Sequence, residues 1–217
     1  MTTAILPVDL DAVTEEYLRL RPIMIRLHTE ISRLLRKEDR LACAKRLQML
    51  SKENGRKIIS FAHEFEVDIF QDYQIYMYRP RGINAVQQML NRKSYPAGSD
   101  ERRLLEGMVQ ARFSVFLVKQ IIERSGFIGY DLYTGDEFFI LDKTLPTQDV
   151  VGLMIGFRLF PFGSYWMHSG ANLTLGYARR NMDAIKPLGS LRSVREEQQL
   201  NDEVIFKWRD VVSELDD

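Results

Sequence analysis

"RFSVFLVKQIIERSGFIGYDLYTGDEFFIL", residues 112–141, decides the fold. Its opening run, Arg112 to Ile122, is rich in β-branched and aromatic side chains, the composition of a strand. Ser125-Gly126 then turns the chain. "FIGYDLY" and "EFFIL" flank Thr134-Gly135-Asp136 and read as a hairpin. Downstream, "VVGLMIGFRLF" (150–160) alternates. Val151, Leu153, Ile155, Phe157 and Leu159 make one buried face, with Gly152 and Gly156 on the other. Glycines so placed permit the curvature of a sheet that closes on itself. Phe162-Gly163-Ser164 and Ser169-Gly170 mark turns around "YWMHS" and "NLTL". Short strands with glycine turns predict a small curled antiparallel sheet or barrel over 112–176.

Upstream, over 1–111, apolar residues recur at helical spacing. A first helical segment is expected from Leu10 to Arg36, with Leu10, Val13, Tyr17, Leu20, Met24, Leu27, Ile31, Leu34 and Leu35 on one face, and Pro22 makes it one kinked helix or two nearly coaxial ones. His28 lies at the edge of that face and reads as a core-edge residue. A second helix is expected over Glu38–Ser51, stopped by Asn54-Gly55. A third, over Arg56–Tyr78, carries the stripe Ile58, Ala62, Phe65, Ile69, Tyr73 and Tyr76. Asn84 caps a fourth helix, with Gln87 completing a capping box, and Ser99 or Asp100 caps a fifth. Gly176 to Gly189 is ambiguous. The C-terminal helical segment, 177–217, ends in a last helix that carries Leu200, Val204, Trp208, Val211, Val212 and Leu215 on one face. The fold class expected is α+β: an N-terminal helical region, the small sheet or barrel, and a C-terminal helix packing back.

The chain has 217 residues, 45% hydrophobic and 28% charged, with zero formal net charge. Those values fit a folded globular protein and argue against a wholly polyanion-binding surface. The single cysteine, Cys43, excludes an internal disulfide and a cysteine metal cluster, and a reducing, cytoplasmic setting is the expectation. The first residues lack the pattern of a signal peptide, and no run reaches the length of a membrane span. No membrane association is expected.

"DYQIYMYRPRGINAVQQML" (72–90), "LLEGMVQARFSVFLVKQI" (104–121) and "YDLYTGDEFFILDKTLPTQDVVGLMIGFRLF" (130–160) together resemble a group of uncharacterised bacterial proteins. Some of that group carry a cysteine-rich SEC-C metal motif, which this chain lacks. The resemblance covers 65–169. It implies a shared fold and brings no activity with it.

Phosphate-loop and nucleophile-elbow motifs are missing. His63 and Glu66 make a poor metal pair, so no metal or cofactor is expected, and no catalytic residue is assigned. Cys43 falls on an apolar helix face and reads as a small hydrophobe. Three function classes remain. The first is a non-enzymatic binding or adaptor protein whose partner is another protein or a second copy of itself. The second is a nucleic-acid-binding protein. It would use the basic segment 33–57, with nine basic and three acidic side chains, through Arg40, Lys45, Arg46 and Lys52. Arg158, Tyr165, Trp166, Arg179 and Arg180 would contribute from the barrel. The third is an enzyme or anion sensor at Arg79, Arg81 and Asn84, where two guanidiniums flank a helix start. The plain reading of that turn is a corner: Pro80 ends one helix, Gly82 relieves the turn, and the arginines neutralise Asp72 or Glu66.

Overall fold

The computed structural model describes residues 2–147, 149–178, 185–190 and 193–216. Contacts divide the chain into two units, one of residues 1–19 with 110–217 and one of residues 20–109. Helix α1, Leu10–Ser32, contributes to both and contains Pro22.

In the second unit α1 continues into α2, Lys37–Arg46. A two-stranded antiparallel ribbon follows, β1 at Leu50–Glu53 and β2 at Arg56–Ile59. The helices expected over Glu38–Ser51 and Arg56–Tyr78 are therefore each shortened, and a hairpin stands between them. Asn54 (φ 49°) and Gly55 (φ 76°) are its turn. Both take left-handed backbone, as a two-residue hairpin turn whose twist matches the strands requires. The helical apolar stripe begins only at α3, Glu66–Asp72. It runs on as a π-helix over Tyr73–Met77, every residue of which is buried. After the corner come α4, Ala85–Asn91, and α5, Asp100–Met108. Leu20, Met24, Leu27, Ile31, Ile75, Tyr76, Leu104 and Leu105 are among this unit's buried side chains.

The first unit is built on β3 (Arg112–Ile122), β4 (Gly126–Asp131), β5 (Glu137–Leu141), β6 (Leu153–Phe162), β7 (Tyr165–His168) and β8 (Leu173–Tyr177). β3, β4 and β5 form an antiparallel meander. β6 and β7 form a hairpin whose second strand pairs parallel with β5. β6 also pairs antiparallel with β3, from Arg112↔Leu159 to Leu117↔Met154, which closes the ring. Counted from β3, the circuit runs 1-2-3-5-4-1, the connectivity of an OB-type barrel. β8 extends the edge of β6 beyond β7. The expected sheet or barrel is thus a closed five-stranded barrel.

Phe116, Val118, Phe127, Ile140, Leu153, Ile155, Phe157 and Leu159 fill the interior, with Phe138 and Trp166 packed against them. The alternating face expected in β6 is buried from Leu153 to Leu159, whereas Val151, before the strand, is exposed. Helix α6, Val194–Asp216, packs back on β3 and β8. Gly156 has a use beyond curvature. A Cβ there would meet Val204 Cγ1 of α6 at 2.6 Å and Phe113 at 3.1 Å, so glycine lets α6 approach the barrel wall.

Candidate functional site

The Arg79–Asn84 corner is architecture first. Gly82 (φ 80°) closes the turn, its amide donating to the Arg79 carbonyl. The Asn84 side chain is buried and spent at both ends. Nδ2 donates to the Tyr76 carbonyl at 2.9 Å and Oδ1 accepts the Gln87 amide at 2.9 Å. The capping box is half made, because the Gln87 side chain donates forward to Asn91 rather than back to Asn84. Arg79 is half-buried and Arg81 exposed. Glu66 is buried and accepts the Ala62 amide at 2.7 Å. α4 is only seven residues long and its N-terminus already holds the Asn84 oxygen, which leaves little there for an external anion.

The basic segment lies elsewhere in the same unit. Arg40 is half-buried and donates Nη2 to the Ser32 carbonyl at the end of α1. The other basic side chains between Arg33 and Lys57 are exposed. Lys45 and Arg46 end α2, and Lys52, Arg56 and Lys57 stand on the ribbon. Lys52 and Lys57 are direct cross-strand partners. Like charges so placed destabilise a hairpin. Beside them Glu53 opposes Arg56. Cys43, on α2, is buried, and its thiol is pushed up to about 12, by burial first and then by Asp39. It stays protonated and is no nucleophile.

The barrel residues expected to meet nucleic acid are occupied otherwise. Arg158, on the outer face of β6, is 1% exposed. Its Nη1 donates to Glu197 Oε1 at 2.9 Å and Nη2 to Asn201 Oδ1 at 3.0 Å, both on α6. Its guanidinium also lies over the Phe113 ring. A buried, fully engaged arginine joins β6 to α6 and cannot reach a phosphate. Tyr165 is buried with its hydroxyl on Glu16. Trp166 sits edge-on to Phe138, ring centroids 4.9 Å apart, and packs on the barrel interior. Arg179, Arg180 and the rest of the ambiguous 179–184 stretch lie outside the described residues, as does the Leu215 side chain. The β4–β5 face that OB-type barrels offer to oligonucleotides is also covered. Its outward side chains Ile128 and Phe139 are buried. α1 is tied beside it through Thr14 to Ser125 and Glu16 to Tyr165, and Thr2 pairs with Asp136 and Glu137.

Sequence patterns missed a cleft of about 440 Å³ where the start of β3, the β4–β5 hairpin and the first turn of α6 meet. Arg112, Phe113, Tyr133, Thr134, Phe138 and Glu197 are among its walls. Below it Asp131 is fully buried. Its carboxylate accepts from Arg112 Nη1 at 2.5 Å, Ser114 Oγ at 2.7 Å and the amides of Tyr133 at 2.9 Å and Thr134 at 3.4 Å. Burial first, then Glu203 and Asp131, push the Tyr133 phenol up, so it stays a donor. At the other end of the barrel His168 Nε2 lies 2.9 Å from Asp142 Oδ2, both buried. Burial alone would raise the Asp142 carboxyl, but His168 and the amides of Thr144 and Leu145 outweigh it and hold it below the usual range.

Among the described residues no helix is long and apolar enough to cross a membrane. Residues 11–182 match the model of a family described as "Family of unknown function (DUF7986)". No curated protein and no solved structure matches the chain. The chain belongs to that family.

Proposed function

From a family membership that brings no activity to transfer, we propose that the protein binds nucleic acid through the end of α2 and the β1–β2 ribbon, by contacts to the phosphate backbone. The observation that carries this reading is the ribbon itself. Among the described residues it is a two-stranded sheet hydrogen-bonded to no other strand, with Lys52, Arg56 and Lys57 exposed and Lys45 and Arg46 exposed just before it. A lone two-stranded ribbon buries little and is marginal in water. Setting two lysines face to face on it lowers its stability further. A polyanion laid along the ribbon reverses that cost, because each phosphate neutralised releases a condensed counterion. A two-stranded ribbon also has the cross-section that the major groove of a duplex admits.

The test is fluorescence anisotropy of a labelled duplex against salt. Five cations on phosphates predict a log–log slope of about −4 to −5. The double variant K52E/K57E loses affinity by tenfold or more, about 1.4 kcal/mol, while its circular dichroism and melting stay as in the parent. A slope near zero, or a double variant that binds as the parent does, overturns the reading. An acidic protein partner, in line with the first expectation from the sequence, would instead leave the duplex unbound.

A further inference from the structure

The cleft above Asp131 has no part in that reading and stands on separate residues. We propose that it is a binding site for a small planar carboxylate, with Arg112 as the group that holds the anion. Arg112 is fixed on two sides. Asp131 takes Nη1, and the guanidinium lies over the Phe138 ring, 5.2 Å from its centroid. Among the described residues nothing takes Nε or Nη2. The side chain keeps 32% of its surface, and it lines the cleft.

A guanidinium steered by a buried carboxylate and presented edge-on to a cleft is how planar oxyanions are held, because its fork matches two oxygens. The Ser114 hydroxyl and the amides of Tyr133 and Thr134 all bond Oδ1 of Asp131, and Arg112 Nη1 bonds Oδ2, so Arg112 is also the counter-ion of the buried hairpin anchor. Only one of its nitrogens is used in that role, and the stacked guanidinium keeps Nε and Nη2 for the cleft. Phe113, Tyr133 and Phe138 supply the apolar and aromatic surface that a flat ligand body requires. The volume falls in the range of small-molecule sites. Charge sets the class. Glu197 and Asp136 are both walls of the cleft, the first paired with Arg158 and the second bonded by the Thr2 amide, and Asp131 lies beneath it, so no more than a single negative charge is accepted and a phosphate dianion is repelled.

The probes are indole-3-carboxylate, its neutral carboxamide and tryptamine. The readout is the amide resonances of Tyr133, Thr134 and Gly135 in the full-length protein. The carboxylate is expected to shift these amides with a dissociation constant of about 1 mM or tighter. The carboxamide should bind about tenfold more weakly and the amine not at all. Arg112→Lys keeps a cation opposite Asp131 but loses the fork, and should weaken the carboxylate by about tenfold. Should that variant fail to fold, Phe138→Leu leaves the Arg112–Asp131 pair in place and should weaken binding several-fold. Equal binding of carboxamide and carboxylate overturns the proposal. So does an unchanged affinity in every variant that folds, or unmoved amides at saturating probe.

Discussion

Two of the molecule's hairpins, β4–β5 and β1–β2, are opposites. β4–β5 is paired on both sides, to β3 and to β7, and every residue of β4 is buried. Among the described residues β1–β2 is paired only with itself, and every residue from Lys52 to Ile58 is exposed. In the barrel hairpin side chains are fixed by their neighbours, so each atom has a cost. In the ribbon the backbone bonds and the turn hold the form, so the side chains are left to chemistry. Charge can gather there because no core depends on it. The arginines follow the same division: Arg158 is spent on the fold, Arg56 faces water, and Arg112 lies between.

The contrast can be tested from its buried side outward. Arg158→Met leaves the Glu197 carboxylate without its counter-ion, held only by the Phe113 amide, and takes the donor from Asn201, and should cost ~3–5 kcal/mol in urea unfolding. Adding Glu197→Gln should recover part of that loss. Gly126→Ala puts a Cβ 2.0 Å from the Ile140 carbonyl oxygen, so β4 and β5 must part. A loss of about 3 kcal/mol is expected, and a near-parental melting point would mean the strands give way more easily than drawn. His28 supplies a pH test in the second unit. It keeps some surface, yet desolvation first, with Arg21 adding to it and Asp72 opposing, holds its pKa at about 4, with Nε2 3.0 Å from the Tyr76 hydroxyl. A depressed folded pKa means stability is in full above the unfolded value near 6.5. It falls as protons bind the unfolded chain on the way down to about 4. Between pH 7 and 5 the loss should be ~1–2 kcal/mol, and His28→Gln should flatten that slope. Gly55→Ala, by contrast with Gly126, meets nothing within 4 Å and pays only for its left-handed backbone, ~1 kcal/mol. Lys57→Glu removes the like-charge pair and should raise stability by a few tenths of a kcal/mol, ~0.5 at most.

How much was legible follows the same contrast. β3 to β7 could be read from the sequence because burial forces β-branched and aromatic residues into short runs, and glycine and serine punctuate them. The ribbon could not. "SKE" and "RKI" carry no alternation, since neither face is buried, and the helices expected over Glu38–Ser51 and Arg56–Tyr78 run into them from either side. Asn54-Gly55 is the strongest short hairpin signal there is, but the same pair also stops a helix, which asks the same of the backbone. The ring closure of β3 onto β6 is a long-range pairing that no local pattern encodes. Arg158 and Trp166 show the limit for sites. Alternation puts Arg158 outside the barrel, yet only the seating of α6 reveals that this outside is dry. Arg112 gave no signal at all, because its meaning depends on a carboxylate nineteen residues away.

The ring closure also has a consequence for how the chain gets to its fold. β3 pairs with β4, its neighbour along the chain, and with β6, far downstream. The meander can assemble from local contacts, but it stays an open sheet with two bare edges until β6 and β7 arrive and seal both. The slow event is therefore the search for that seam, whose entropy of loop closure is spent before any reward is collected. Until the seam forms, β3 and β5 present unpaired backbone to any other chain. The closed barrel is thus also the protein's protection against its own copies.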